Sequence, residues 1–141
     1  KANAAHFFQL TKQSTLKAGL QAGWIQTRDV FKNEIFQIGG YRLLRGFDEE
    51  SIFATRYAVG TAEYRYLIGT NSFLFAFTDF GWAANTSFSE QDEHAYLGFG
   101  GGISFETKAG ILNLAYAVGK RDDIPLNFRQ SKIHFGFVSL F

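Results

Sequence analysis

The chain has no cysteine, no methionine, one proline and three histidines among its 141 residues. The lack of cysteine excludes a disulfide framework, a cysteine-based zinc site and a cysteine nucleophile. The three histidines, at positions 6, 94 and 134, are far apart in the sequence and offer little for metal or acid–base chemistry. We therefore predict that the protein has no metal site and no cofactor.

An excess of charge of either sign is also missing. Fourteen Lys and Arg residues stand against thirteen Asp and Glu residues, which leaves a net charge of +1. Nucleic-acid-binding surfaces and polybasic membrane patches need a clear positive excess, so neither is expected. No run of about 18 apolar residues occurs, which argues against a transmembrane helix. At this length we expect one domain, residues 1–141.

What the chain has in abundance is typical of β-strands: seventeen Phe, six Tyr, two Trp and fifteen Gly. Apolar residues recur at every second position in four segments, 15–27, 95–107, 111–120 and 132–141. This period of two indicates strands with one apolar face. Three less regular segments, 5–12, 55–68 and 72–82, bring the number of predicted strands to seven. No segment has helical periodicity, so the predicted fold class is all-β.

The connections between these strands alternate strictly in length. Tight turns at 12–14, 69–71 and 108–110 alternate with long polar connections at 28–54, 85–94 and 121–130. Short turns on one rim and long loops on the other are typical of an antiparallel transmembrane β-barrel in the bacterial outer membrane. A soluble barrel of the lipocalin type is the alternative. It would place the nearly bare face of Gly98, Gly100 and Gly102 in water, so we favour the membrane barrel, with lipid as its surroundings.

Seven strands do not close such a barrel, because bacterial single-chain barrels have an even number. We therefore expect eight or more strands in the closed barrel. The additional strands would precede Lys1, or a second copy of the chain would supply them. Whether Lys1 follows a removed leader or an omitted segment stays open, because the chain does not begin with methionine.

The longest connection contains a motif. It reads Gly39-Gly40 and then Leu44-Arg45-Gly46-Phe47, with five predicted strands after it. In this the chain resembles the outer-membrane assembly and secretion superfamily that includes BamA, TamA and the two-partner-secretion transporters, the bacterial surface antigen type. Its hallmark is a Gly-Gly followed by a hydrophobic-Arg-Gly-Phe/Tyr tetrad in the sixth extracellular loop.

The resemblance implies that this loop folds back into the barrel and acts as a latch. Its Arg would meet acidic and aromatic residues on the next two strands, which by motif match are Glu63, Phe77 and Asp79. Strand alternation independently predicts that these three side chains point inward. The alternative is that Arg45 is a solvated loop residue beside a turn glycine.

The end of the chain also carries a pattern. Phe135, Phe137 and the terminal Phe141 resemble the recognition strand by which outer-membrane barrels reach the insertion machinery. The alternative is a strand that simply faces lipid.

For function, the resemblance implies a non-enzymatic barrel for insertion of outer-membrane proteins or translocation of polypeptides, with unfolded outer-membrane proteins as substrates. It covers about the C-terminal half of a sixteen-stranded family barrel and includes no POTRA domains, which fits either a fragment or a short family member with a reduced barrel. A small pore-forming or structural barrel, with a dimer as one form, is the alternative. A lipid-acting enzyme would need Ser and His together, but His134 and Ser104 show no such spacing. The acids at 90, 92, 93, 122 and 123 are expected to be solvated loop charges.

Overall fold

The computed structural model describes residues 1–26, 31, 33–87 and 90–139. It contains nine strands and one short 3-10 helix, Phe128–Gln130. The strands are β1 Ala2–Gln9, β2 Ser14–Trp24, β3 Phe36–Ile38, β4 Ile52–Ala54, β5 Arg56–Gly69, β6 Ser72–Ser87, β7 Glu90–Glu106, β8 Gly110–Arg121 and β9 Lys132–Ser139. No helix among these residues is long and apolar enough to cross a membrane.

Seven of the strands form one antiparallel sheet in the order β1-β2-β5-β6-β7-β8-β9. Strands that follow one another in the chain pair with each other in this sheet. The exception is that β2 pairs with β5, because β3 and β4 of the long connection lie outside the sheet. This confirms the all-β class and the antiparallel sheet. Within the described part of the chain β1 and β9 do not pair with each other, so the sheet is an open part of a barrel.

Side chains along β5 and β6 alternate between two environments. Glu63 and Asp79 are 4% and 1% exposed, whereas Tyr64 and Phe80 are 43% and 60% exposed. The face that carries Glu63 and Asp79 is called the inner face below. The opposite face presents large apolar side chains, among them Leu20, Trp24, Leu74, Leu114, Tyr116 and Phe135. Such a face suits contact with hydrocarbon, and the polar residues lie on the covered side.

One predicted connection was wrong. Residues 85–94 are mostly strand, because β6 continues to Ser87 and β7 begins at Glu90. The register runs unbroken from Ala83 opposite His94 to Ser87 opposite Glu90. These residues are polar, and a search for apolar alternation therefore takes them for a loop. Their pairing is backbone hydrogen bonding, which leaves no hydrophobic signature.

The long connection holds a short hairpin that the sequence pattern did not indicate. β3 and β4 are three residues each and pair only with one another. The connection packs on the inner face, where the core cluster comprises Ile38, Leu44, Ala54, Tyr57, Val59 and Ala83. The described residues of this connection therefore pack against the inner face and cover the middle of the sheet.

Candidate functional site

The connection turns sharply where its glycines lie. Gly39, Gly40 and Gly46 have φ values of 110°, 108° and 97°, and Leu44 has a φ of 63°. Glycine adopts this left-handed region freely, whereas leucine does so at a cost of about 1 kcal/mol or more. Leu44 is fully buried. Its Cδ1 lies only 2.9 Å from the position that a Cβ on Gly81 would take, so the side chain packs where Gly81 leaves room. Burial of this side chain offsets the backbone strain.

This turn presents the next residue, Arg45, to the inner face. We call residues 39–47 the Arg45 loop. Nε and Nη2 of Arg45 donate to the two carboxylate oxygens of Asp79 at 2.9 and 2.8 Å, and Nη1 donates to Glu63. The backbone N–H of Arg45 also donates to Asp79, at 2.9 Å. The bond pair to Asp79 has the two-pronged geometry that only a guanidinium can supply.

The aromatic side of the site is Phe77. The guanidinium carbon of Arg45 lies 3.6 Å from the centre of the Phe77 ring, which is cation–π contact. Strand register explains the grouping, because Glu63 of β5 lies directly opposite Phe77 of β6 and Asp79 follows two residues later on the same face. The structure therefore brings together all four of the residues that motif and alternation pointed to.

Both carboxylates of the site are bonded to arginine. Glu63 accepts a second hydrogen bond from Nε of Arg65 at 2.6 Å, so two arginines face two carboxylates. Arg45 is 7% exposed. Removing such charges from water is costly, and it is tolerated only where each finds a partner of good geometry. Arg45 is therefore a buried, fully paired residue, and the reading of it as a solvated loop arginine is wrong.

The remaining motif residues contact the following strands. The N–H of Gly46 donates to Nε2 of His134 at 3.1 Å, and the Phe47 ring packs edge-on against Tyr96 with centroids 5.4 Å apart. Gly39 and Gly40 lie at the turn, where N–H of Gly40 donates to the carbonyl of Leu44. The role of His134 was not found from the sequence. Strand alternation indicates only that the His134 side chain points inward. It does not reveal a partner 88 residues away.

The terminal strand exposes its phenylalanines. Phe135 and Phe137 are 67% and 50% exposed and lie on the outer face. Phe141 lies outside the described residues. Recognition by insertion machinery remains a prediction for this strand, whereas its outer apolar face is what the structure describes.

A second polar cluster lies at the rim, beyond the exposed Trp82. His94 contacts Asp122 through Nδ1 at 2.9 Å and Asp92 through Nε2 at 2.7 Å. The hydrogen bond with His94 lowers the pKa of the Asp122 carboxyl. Asp123 pairs with Arg121 at 2.5 Å and lies 3.9 Å from Nδ1 of His94. These acids are exposed, as expected, but they form ion pairs.

Two kinds of chemistry can be weighed from these positions. Ligand atoms of His94, Asp122 and Asp123 lie within 4.8 Å of one another, a spacing that a divalent cation could bridge. Both ring nitrogens of His94 already contact carboxylates, however, so a cation could bind His94 only by replacing one of these two contacts. In an enzyme, Nε2 of His134 would have to accept a proton from a serine hydroxyl. It accepts a hydrogen bond from the N–H of Gly46 instead.

Comparison with known proteins agrees with the family resemblance. The family model described as the Omp85 superfamily domain matches residues 1–139. No curated protein gives a significant match to the chain.

Proposed function

The chain belongs to the Omp85 superfamily, and from this premise we propose that it forms part of an outer-membrane barrel for membrane-protein insertion or polypeptide translocation, with the Arg45 loop as a latch inside the lumen. Proteins of the superfamily are β-barrels of the bacterial outer membrane or of organelles, and they act as transporters or insertases, not as enzymes. The observation that carries the proposal is the docking of Arg45 between Asp79 and Glu63 over Phe77.

The geometry supports a latch because it ties a loop between β2 and β5 to the middle of two strands. The side chain of Arg45 contacts both β5 and β6. A charge held in this way is difficult to release, because removing one partner of a buried pair typically costs about 3 to 5 kcal/mol. The loop is therefore fixed across the inner face in one position, where it narrows the lumen.

The test compares Arg45→Ala and Arg45→Lys with Arg42→Ala as the matched control, since Arg42 is an exposed arginine of the same loop. The purified full chain is examined for heat-resistant mobility in detergent gels and for ion conductance in planar bilayers. Arg45→Ala is expected to lose heat resistance and to conduct more, because the loop leaves the lumen. Arg45→Lys keeps the charge but not the two-pronged bond, so an intermediate result is expected.

If Arg45→Ala behaves as Arg42→Ala does in both measurements, the loop is not a latch. Loss of heat resistance in Arg42→Ala as well would show a general effect of loop substitution and would also count against the proposal.

A second candidate, a small pore-forming or structural barrel, is favoured by one observation. The docked loop leaves a cavity of about 220 Å³ beside Arg45, and its lining carries four basic side chains and two acidic ones, Glu63 and Asp79. A cavity of this size with an excess of basic residues in its lining could pass small anions. Steady conductance of the wild-type chain with anion selectivity would support this candidate. A closed wild-type barrel that opens only in Arg45→Ala would support the latch.

A further inference from the structure

The backbone of the Arg45 loop rests on two strands that offer no side chain at the point of contact. Gly98 of β7 and Gly119 of β8 lie opposite each other in the sheet register. A Cβ on Gly98 would overlap the carbonyl oxygen of Arg45, and one on Gly119 would stand 2.5 Å from the carbonyl oxygen of Gly46. We call this pair the glycine seat. It has room for the loop backbone only because both residues lack a side chain.

The loop faces an equally close fit from its own side. Gly46 has a positive φ, and a Cβ there would lie 2.6 Å from the backbone of Val118 and Gly119. Loop and sheet are therefore in backbone-to-backbone contact at this point, and the register of one fixes the position of the other.

Beyond the seat the loop reaches the terminal strand β9. Three inward residues of β9 at alternate positions each meet the long connection. Nζ of Lys132 lies 2.7 Å from Asp48, Nε2 of His134 accepts the N–H of Gly46, and Gly136 lies beside the ring of Tyr41. Of these three contacts only the one made by His134 is buried, since His134 is 7% exposed. The hydrogen bond from Gly46 is therefore the contact that water does not replace.

In the described sheet, β9 pairs with one strand only, β8. Its inner face is supported by the Arg45 loop. We infer that His134 is a positioning residue that joins β9 to the docked loop across the glycine seat, so that docking of the loop and seating of the terminal strand occur together. This inference rests on the proposed latch, which it extends from β5 and β6 to β9.

The decisive comparison is His134→Leu against His134→Gln. Leucine fills similar space but cannot accept the Gly46 hydrogen bond, whereas the amide oxygen of glutamine can stand near the position of Nε2. The readout is hydrogen–deuterium exchange of the full chain in detergent micelles, followed in peptides from residues 39–47 and 132–139. Peptides from β5 serve as the internal reference.

In His134→Leu, exchange in both the loop and β9 is expected to rise by roughly tenfold, because a buried N–H loses its acceptor. Exchange in β5 should stay unchanged, and His134→Gln should restore most of the protection. Unchanged exchange in His134→Leu would overturn the inference. Equal increases in the leucine and glutamine variants would also overturn it, because the acceptor would then not be the cause.

Gly119→Ala tests the seat without touching His134, and it decides the matter should His134→Leu fail to fold. The matched control is Gly60→Ala, since nothing lies within 4 Å of a Cβ at that strand glycine. Gly119→Ala is expected to increase exchange in the loop and in β9 together, and Gly60→Ala in neither. Protection of β9 that survives while the loop exchanges freely would refute the joint behaviour.

The latch and its link to β9 are contradicted by different outcomes of this experiment. Arg45→Ala should release the loop in the same exchange experiment if the latch is real. If it does so while His134→Leu and Gly119→Ala change nothing in β9, the latch stands and the link to β9 is wrong. If Arg45→Ala leaves loop exchange unchanged, the latch itself is wrong.

Discussion

At the scale of single residues, the two carboxylates of the site are not equivalent. Asp79 accepts three hydrogen bonds from Arg45, one of them from its backbone N–H, and is 1% exposed. Glu63 accepts one bond from Arg45 and one from Arg65, whose side chain is 27% exposed. Asp79 therefore binds both the guanidinium and the backbone N–H of Arg45, whereas Glu63 binds only the guanidinium.

This difference predicts the order of two conservative substitutions. Asp79→Asn should lower the free energy of unfolding by about 3 to 5 kcal/mol, since it leaves the Arg45 guanidinium with half of its compensation. Glu63→Gln should cost less, because Arg65 can turn to solvent and Arg45 keeps Asp79. Urea titration in detergent micelles measures both. A Glu63→Gln variant that costs as much as Asp79→Asn would contradict this assignment.

Much of this site could be predicted residue by residue. The tetrad identified Arg45, and the parity of β5 and β6 placed Glu63, Phe77 and Asp79 on one face. His134, Gly98 and Gly119 could not be found in the same way. Their roles depend on where the loop backbone lies on β7, β8 and β9, and neither periodicity nor a motif carries that information.

At the scale of elements, the strands that were predicted best are those with alternating apolar residues. β8 was expected at 111–120 and found at Gly110–Arg121. The ends of β6 and β7 were missed because they are polar, and β3 and β4 because three residues are too short to show a period. Hydrophobic alternation reveals a strand only where one of its faces meets apolar surroundings.

Within β7, Gly102 is required by the neighbouring strand. A Cβ on Gly102 would overlap the carbonyl oxygen of Leu114 in β8 and lie 2.6 Å from the ring of Phe75. Gly102→Ala should therefore lower the free energy of unfolding by about 1 to 3 kcal/mol, as overpacking does. Gly60→Ala in β5 should have little effect or a small stabilising one. Equal unfolding midpoints in urea for the two variants would show that β7 adjusts without cost.

At the scale of the whole molecule, β1 and β9 are the edge strands of the seven-stranded sheet. β1 and β9 each pair with a single strand in the described ranges 1–26, 31, 33–87 and 90–139. Unpaired backbone groups are not stable in hydrocarbon, so these edges require partners in the membrane. Further strands or a second copy of the chain would meet this demand, as the strand count had suggested.

Hydrogen exchange of the protein in lipid vesicles tests this closure. Amides of β1 and β9 are expected to exchange as slowly as those of β5, because every edge in the bilayer is paired. Rapid exchange confined to β1 and β9 would show that the edges stay open. Native mass spectrometry of the same sample then distinguishes a dimer from a single longer chain.

Chain order adds a consequence for biogenesis. The strands that bind Arg45 and Gly46 through side chains, β5, β6 and β9, all follow the Arg45 loop in the chain, and the bond to His134 spans 88 residues. Contacts so distant in sequence form late, since loop-closure entropy must be overcome before they contribute. The bonds of Arg45 to Glu63 and Asp79, 18 and 34 residues away, can therefore form before the bond to His134. The bond to His134 would then complete the docking, and a protein truncated ahead of His134 would carry a loop held only by its arginine bonds in an unfinished barrel.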